Sequence, residues 1–175
     1  MKRKFSIIFL FLFFIQAVSA QNVCTDTVGN FSFVMPDGWT AVTLDGVQYR
    51  AAAGITIESF TQNITAMREK FAGALDEYLE EAKKHLIAQE GEVQIFKEEP
   101  FTTAENIEGR KIVFDCIYSD ISLRQYLYIF QVENICFLFT CSVAAGEPEE
   151  IETVFDESMK TFRTLRKEVN SEVKK

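Results

Sequence analysis

The chain has 175 residues, a formal charge of −8, 47% hydrophobic residues, one His, four Cys and 17 Phe. That length suits one domain with its own core, and the apolar fraction is too high for a disordered chain. The acidic balance argues against binding nucleic acid or an anionic membrane, which needs clustered Lys and Arg, and one His excludes a His-rich metal site.

Residues 1–20 read as a secretory signal. Lys2, Arg3 and Lys4 precede an apolar run from Ile7 to Ile15, and Val18-Ser19-Ala20 places small residues at the cleavage-determining positions. Cleavage after Ala20 is expected, which makes the chain secreted or periplasmic with no stable membrane anchor. Gln21-Asn22-Val23 ahead of Cys24 lacks the small residue that bacterial lipoprotein processing requires. Loss of the signal takes the charge from −8 to −11 and removes 5 of the 17 Phe. Residues 21–29 are expected to form an N-terminal extension, with Cys24 on a flexible segment.

The domain proper is expected over 30–165. Phe31-Ser32-Phe33-Val34-Met35 alternates in the period of a half-buried strand and ends in the turn residues Pro36-Asp37-Gly38, followed by Trp39. Gln48–Ala53 and Ile55–Phe60 read as strands on either side of Gly54. The spacing of Phe71, Leu75, Tyr78, Leu79, Ala82 and Leu86 predicts a helix over Thr65–Glu90, with Glu80 and Lys84 as an i,i+4 pair and Gly91 as its stop. A short strand follows at Val93–Glu98.

Three strand patterns come next, at Arg110–Tyr118, Leu123–Val132 and Ile135–Val143. Their connections, Ser119-Asp120 and Glu133-Asn134, are short enough for an antiparallel meander. If those dipeptides are the turns, facing residue numbers sum to 239 in the first hairpin and 267 in the second. Asp115 then faces Arg124 as a cross-strand ion pair. One face collects Val113, Ile117, Tyr126, Tyr128, Phe130, Phe137, Phe139 and Val143. The other collects Ile112, Phe114, Leu123, Leu127, Ile129 and Leu138.

Two apolar faces need two covers. The Thr65–Glu90 helix is expected on one, and a second helix over Pro148–Leu165, with the stripe Ile151, Val154, Phe155, Met159 and Phe162, on the other. The expected class is α+β, an antiparallel sheet covered by helices on both faces, an α/β/α sandwich. Residues 166–175 read as a polar C-terminal tail.

The opening Phe31-Ser32-Phe33-Val34-Met35-Pro36-Asp37-Gly38-Trp39 resembles the start of PsbP-like and DcrB-like domains. Leu75-Asp76-Glu77-Tyr78-Leu79 resembles their mid-chain helix, and Phe155-Asp156-Glu157-Ser158-Met159-Lys160-Thr161-Phe162 their closing helix. The resemblance spans about Asn30–Arg163 and rests on packing and turn residues. It implies a PsbP-like sandwich, usually extracytoplasmic, whose photosystem members are accessory proteins of a larger complex and some of whose relatives are chaperones for apolar segments. It brings no catalytic or binding residue onto this chain.

The residues themselves offer no Gly-x-Ser-x-Gly elbow, phosphate-cradling loop or Asp-x-Asp calcium loop. His85, beside Lys83 and Lys84, reads as a solvated helix residue, and Trp39 as a core or rim anchor. Glu98-Glu99 and Glu149-Glu150 read as solvated acids without the spacing of a coordination shell. No catalytic residue, no metal site and no cofactor is therefore expected, and the binding residues are unknown. In the expected register Cys116 and Cys141 point to opposite faces two strands apart, as do Cys136 and Cys141 on one strand. At most one disulfide is expected, using Cys24, with at least two buried thiols.

The expected function is a non-enzymatic exported accessory or binding protein, its partner an unknown protein or apolar ligand and not nucleic acid. The alternatives are an extracytoplasmic chaperone or carrier, using the aromatic stripe of the meander as a groove, and an enzyme of unrecognised class.

Overall fold

A computed structural model describes residues 22–57, 60–89, 93–148 and 150–165. The signal expected at 1–20, the tail at 166–175, the stop at Gly91 and Glu149 lie outside those residues. In chain order the elements are β1 (Val23–Asp26), β2 (Phe31–Val34), β3 (Thr40–Val42), β4 (Ala51–Ile57), β5 (Phe60–Lys70), α1 (Leu75–Gln89), β6 (Gln94–Thr102), β7 (Glu108–Tyr118), β8 (Ile121–Val132), β9 (Ile135–Ala144), α2 (Glu150–Lys160) and β10 (Arg163–Thr164). One sheet has the order β3-β4-β5-β9-β8-β7-β6 and a second the order β1-β2-β10, and both pair antiparallel.

The meander has the register its turns dictate. Asp115 faces Arg124, Cys116 faces Leu123 and Gln131 faces Cys136. Ser119 and Asp120 both take positive φ, at 49° and 66°, the backbone that matches a two-residue hairpin to the strand twist. Arg124 donates from Nε and Nη2 to the two carboxylate oxygens of Asp115 at 2.8 and 3.0 Å. The side chains sort as the alternation requires. Val113, Tyr126, Tyr128, Phe130, Phe137, Phe139 and Val143 enter one core, and Ile112, Phe114, Leu123, Leu127, Ile129 and Leu138 enter the other. Ile117 continues the first row but stands half exposed.

The expected class is overturned at the second face. Strands hold 53% of the described residues and helices 18%, and the sheet is not covered by helices on both faces. Helix α1 does cover one face, with Tyr78 and Leu79 packed among Ile112, Phe114 and Leu127. The opposite face lies largely under the second sheet. Phe31 and Phe33 of β2 meet Phe139 edge-on at 5.3 and 5.6 Å, and α2 adds Phe155 and Met159 to the same core. The reason is width. An 11-residue helix covers a strip about 16 Å long and 10 Å wide, far less than a sheet seven strands across offers at ~4.8 Å per strand.

Three boundaries also move. Thr65–Lys70, expected in the helix, completes β5 and pairs with β9 from Thr65 opposite Thr140 to Lys70 opposite Ile135. These residues have fair helix propensity, but a strand there satisfies every backbone group along β9, and tertiary pairing outweighs propensity. Helix α1 starts only after Gly73, where the Ala74 N–H donates to Glu77 Oε2 at 3.2 Å in half of a capping box. Helix α2 stops at Lys160, and the chain continues into β10 beside β2. Cys24, expected on a flexible segment, lies in β1 opposite Phe33 and is wholly buried. All four cysteines are free and buried, so the single disulfide allowed for Cys24 does not form.

The edge strand β6 is protected against pairing with other chains. Pro100 lacks an N–H, Lys97 adds charge, and the register slips between Ile95 and Lys97 so that Phe96 bulges outward under the Arg124 guanidinium at 5.1 Å.

Candidate functional site

The turn that follows β2 builds one wall of a cleft. Trp39 N–H donates to Pro36 O at 3.1 Å, and Gly38 at the third position has φ 80°, the left-handed value of a type II turn. Asn22 ties the turn down, accepting from Met35 N–H at 2.8 Å and donating through Nδ2 to Trp39 O at 2.5 Å. The Trp39 indole lies edge-on to Phe155 at 5.8 Å and against Gly54, where a Cβ would come within 2.3 Å of the ring. Trp39 is thus the core anchor expected, with one edge left for the cleft.

Gly54 also marks a β-bulge. Between Ala53 and Thr56 the register shifts, so that Gly54 and Ile55 together oppose Gln62. The bulge turns Ile55 outward to 61% exposure and leaves Gln62 buried at 3%. The resulting cleft has a volume of about 540 Å³. Met35, Trp39, Ile55, Ile151 and Val154 supply its apolar walls, and the exposed carboxylates Asp37 and Glu157 stand on its border. Two buried polar side chains also line it. Ser158 is satisfied, its Oγ donating to Val34 O at 2.6 Å. The Gln62 carboxamide has no hydrogen-bond partner among the described residues. Sequence reasoning missed Gln62. Its only signal was a polar residue in phase with Ile64 and Ala66 on an inward strand face.

A second constellation surrounds Lys111, which is 0% exposed. Its Nζ lies 2.6 Å from both Glu152 Oε1 and Asp156 Oδ1 and 3.5 Å from Glu99 Oε1. Lys97 reaches Glu99 at 2.9 Å and Glu152 at 3.0 Å, and the Tyr128 hydroxyl donates to Asp156 at 2.7 Å. The Lys111 ammonium also lies near the ring faces of Tyr126 and Tyr128, at 5.9 and 5.6 Å. Burial pushes the Glu152 carboxyl up, but the hydrogen bonds from Lys111 and Lys97 outweigh it and hold the group below the usual range. Burial pushes the Tyr126 phenol up to about 12 and Tyr128 further. Every charge here is spent on a neighbour, so the cluster fastens α2 to β7. Sequence reasoning missed this cluster; the signal that could have found it is Lys111 two residues from Val113 on the inward row, with Glu152 and Asp156 one helical turn apart.

A smaller cleft of about 350 Å³ runs between α1 and β5, over Leu86, Leu127 and Leu138. There the Tyr78 hydroxyl donates to Glu69 at 2.7 Å. His85 borders this cleft but is exposed, as the solvated reading held. Glu98 is paired with Lys83 at 3.0 Å and Glu99 with Lys97 and Lys111, so these neighbours point to different lysines. The aromatic stripe offered as a chaperone groove, Tyr126, Tyr128, Phe130, Phe137 and Phe139, is at most 2% exposed and belongs to the core.

No family profile and no curated protein sequence matches the chain. Solved structures do. Cyanobacterial PsbP (CyanoP) from Synechocystis aligns with a TM-score of 0.59 at 13% identity, over 85% of this chain and 95% of its own. The fold is PsbP-like. LpqN of Mycobacterium tuberculosis, described as involved in cell envelope biogenesis, aligns with a TM-score of 0.60 at 8% identity over 86% of this chain and 88% of its own. A protein of unknown function from Pseudomonas aeruginosa aligns at 0.58 and 9%, over 84% and 98%. The expected resemblance therefore holds at the level of the PsbP-like fold. No helix among the described residues is long and apolar enough to cross a membrane.

Proposed function

We propose that the chain is an exported, non-enzymatic accessory module that works by docking a partner protein. The observation that carries this reading is the contrast between its two main polar constellations. Around Lys111 the ionisable groups neutralise one another and hold α2 in place. At the Trp39 cleft, an apolar wall surrounds the Gln62 carboxamide, which opens to the cleft with no hydrogen-bond partner among the described residues. The first arrangement is a fastening and the second suits recognition. The likeness to CyanoP and LpqN, together with the signal read at 1–20, supports a role outside the cytoplasm.

Fractionation tests the reading. A C-terminally tagged chain is expected in envelope or culture fractions with Gln21 as its first residue, and to co-migrate on native size exclusion with a complex larger than the cleaved monomer. A cytoplasmic chain that retains residues 1–20 overturns it.

A further inference from the structure

We infer that the Trp39 cleft takes an extended segment of a partner protein in which an apolar side chain stands next to Lys or Arg. This names the occupant for the docking role above and rests on it. Three observations converge. Gln62 is only 3% exposed, and its carboxamide borders the cleft with no hydrogen-bond partner among the described residues, so its polar atoms meet the solvent of the cleft and are free to bond an occupant. A carboxamide carries a donor and an acceptor side by side, matching the C=O and N–H that one residue of an extended chain points the same way, so such a residue satisfies it with two hydrogen bonds. The bulge at Gly54 and Ile55 is what creates room opposite Gln62.

The walls select the side chain. Met35, Trp39 and Val154 form an apolar surface with the indole edge on one side, suited to one aliphatic or aromatic residue. The border selects the charge. Asp37 and Glu157 are both exposed there, and no Lys, Arg or His lines the cleft among the described residues. That field attracts a cation and repels the anionic headgroup of a fatty acid or phospholipid.

Trp39 is the sole Trp of the chain, so its emission reports occupancy directly. The test titrates the purified chain with three blocked hexapeptides: Lys-Ser-Leu-Val-Ser-Lys, its Glu-flanked counterpart Glu-Ser-Leu-Val-Ser-Glu, and Lys-Ser-Ser-Ser-Ser-Lys. The first is expected to shift Trp39 emission saturably, and the other two to bind at least about tenfold more weakly. Gln62→Leu is expected to weaken the first peptide by about tenfold through loss of its hydrogen bonds. Asp37→Lys, on the exposed turn and outside the core, is expected to weaken the first peptide and strengthen the Glu-flanked one.

No saturable response to any peptide, equal affinity for all three, or wild-type affinity in both variants overturns the inference. So does an emission shift that follows protein concentration without peptide, which places a second copy in the cleft. Co-migration with a large envelope complex that survives in Gln62→Leu and Asp37→Lys leaves the accessory role standing and removes the cleft as its docking site.

Discussion

The Lys111 ammonium lies 2.6 Å from the carboxylate of Asp156, joining β7, next to the edge of the sheet, to the middle of α2 in a position closed to solvent on the lysine side only. Lys111 has no exposed side-chain surface, whereas Glu152 and Asp156 keep 28% and 26% of theirs. This asymmetry makes the two halves of the network unequal under mutation. The double variant Glu152→Gln, Asp156→Asn leaves the buried ammonium only the more distant Glu99 carboxylate, at 3.5 Å, and is expected to cost about 3–5 kcal/mol. Lys111→Met leaves two carboxylates that water and the Tyr128 hydroxyl can still reach, and is expected to cost less, about 1–3 kcal/mol. Urea denaturation midpoints of the three proteins check the order.

Acid should weaken the same contact. The folded Glu152 carboxyl lies below its ordinary value of 4.5, so the unfolded chain takes up the proton first. The stabilisation is present above pH 4.5 and is lost as pH falls through the folded value. Melting temperature is expected to decline below about pH 4.5, and the decline should be shallower in Glu152→Gln. Equal slopes in the two proteins would count against this role for Glu152.

Alkali acts through the thiols. Burial pushes Cys24 and Cys136 from 9.0 up to about 11, so folding keeps them protonated, and the stability this represents is present below pH 9.0 and lost as pH rises through about 11. Since all four cysteines are free and buried, intact mass should be unchanged by reductant. A thiol reagent should label almost nothing in the native chain and four groups in denaturant. A mass increase of two hydrogen atoms on reduction would show a disulfide and contradict the structure.

Gly54 is expected to tolerate no side chain. In Gly54→Ala the new methyl meets the Trp39 indole, and overpacking of this kind costs about 1–3 kcal/mol. The displaced ring should change its fluorescence emission, which separates this effect from a general loss of strand stability. Thermal melts read in parallel by far-UV circular dichroism and by Trp39 emission check both.

The meander was legible because period-two alternation and two short turns leave one register open. Asp115 opposite Arg124, Cys116 opposite Leu123 and the two rows of core residues all follow from counting along the chain. Thr65–Lys70 was not legible, because its residues suit a helix and only the partner strand β9 makes them extended. The cover of the second face was misread for a related reason. The alternation of Phe31–Val34 shows a strand but not which surface it covers, and its role lies in Phe31 and Phe33 meeting Phe139 from across the chain. The cleft was the least legible feature. It depends on Trp39, Gln62 and Val154 coming together from three distant parts of the chain.

Taken by itself, the sequence determined which residues face which side of the meander, where its hairpins turn and which charges pair across it. These are consequences of side-chain period and loop length, and both are local. Only the tertiary structure decided that a second sheet shares the cover with α2, that Lys111 is enclosed by two carboxylates from that helix, and that a bulge at Gly54 leaves Gln62 facing an open cleft. Those outcomes depend on area to be buried and on contacts between residues dozens to more than a hundred positions apart, which no local pattern encodes.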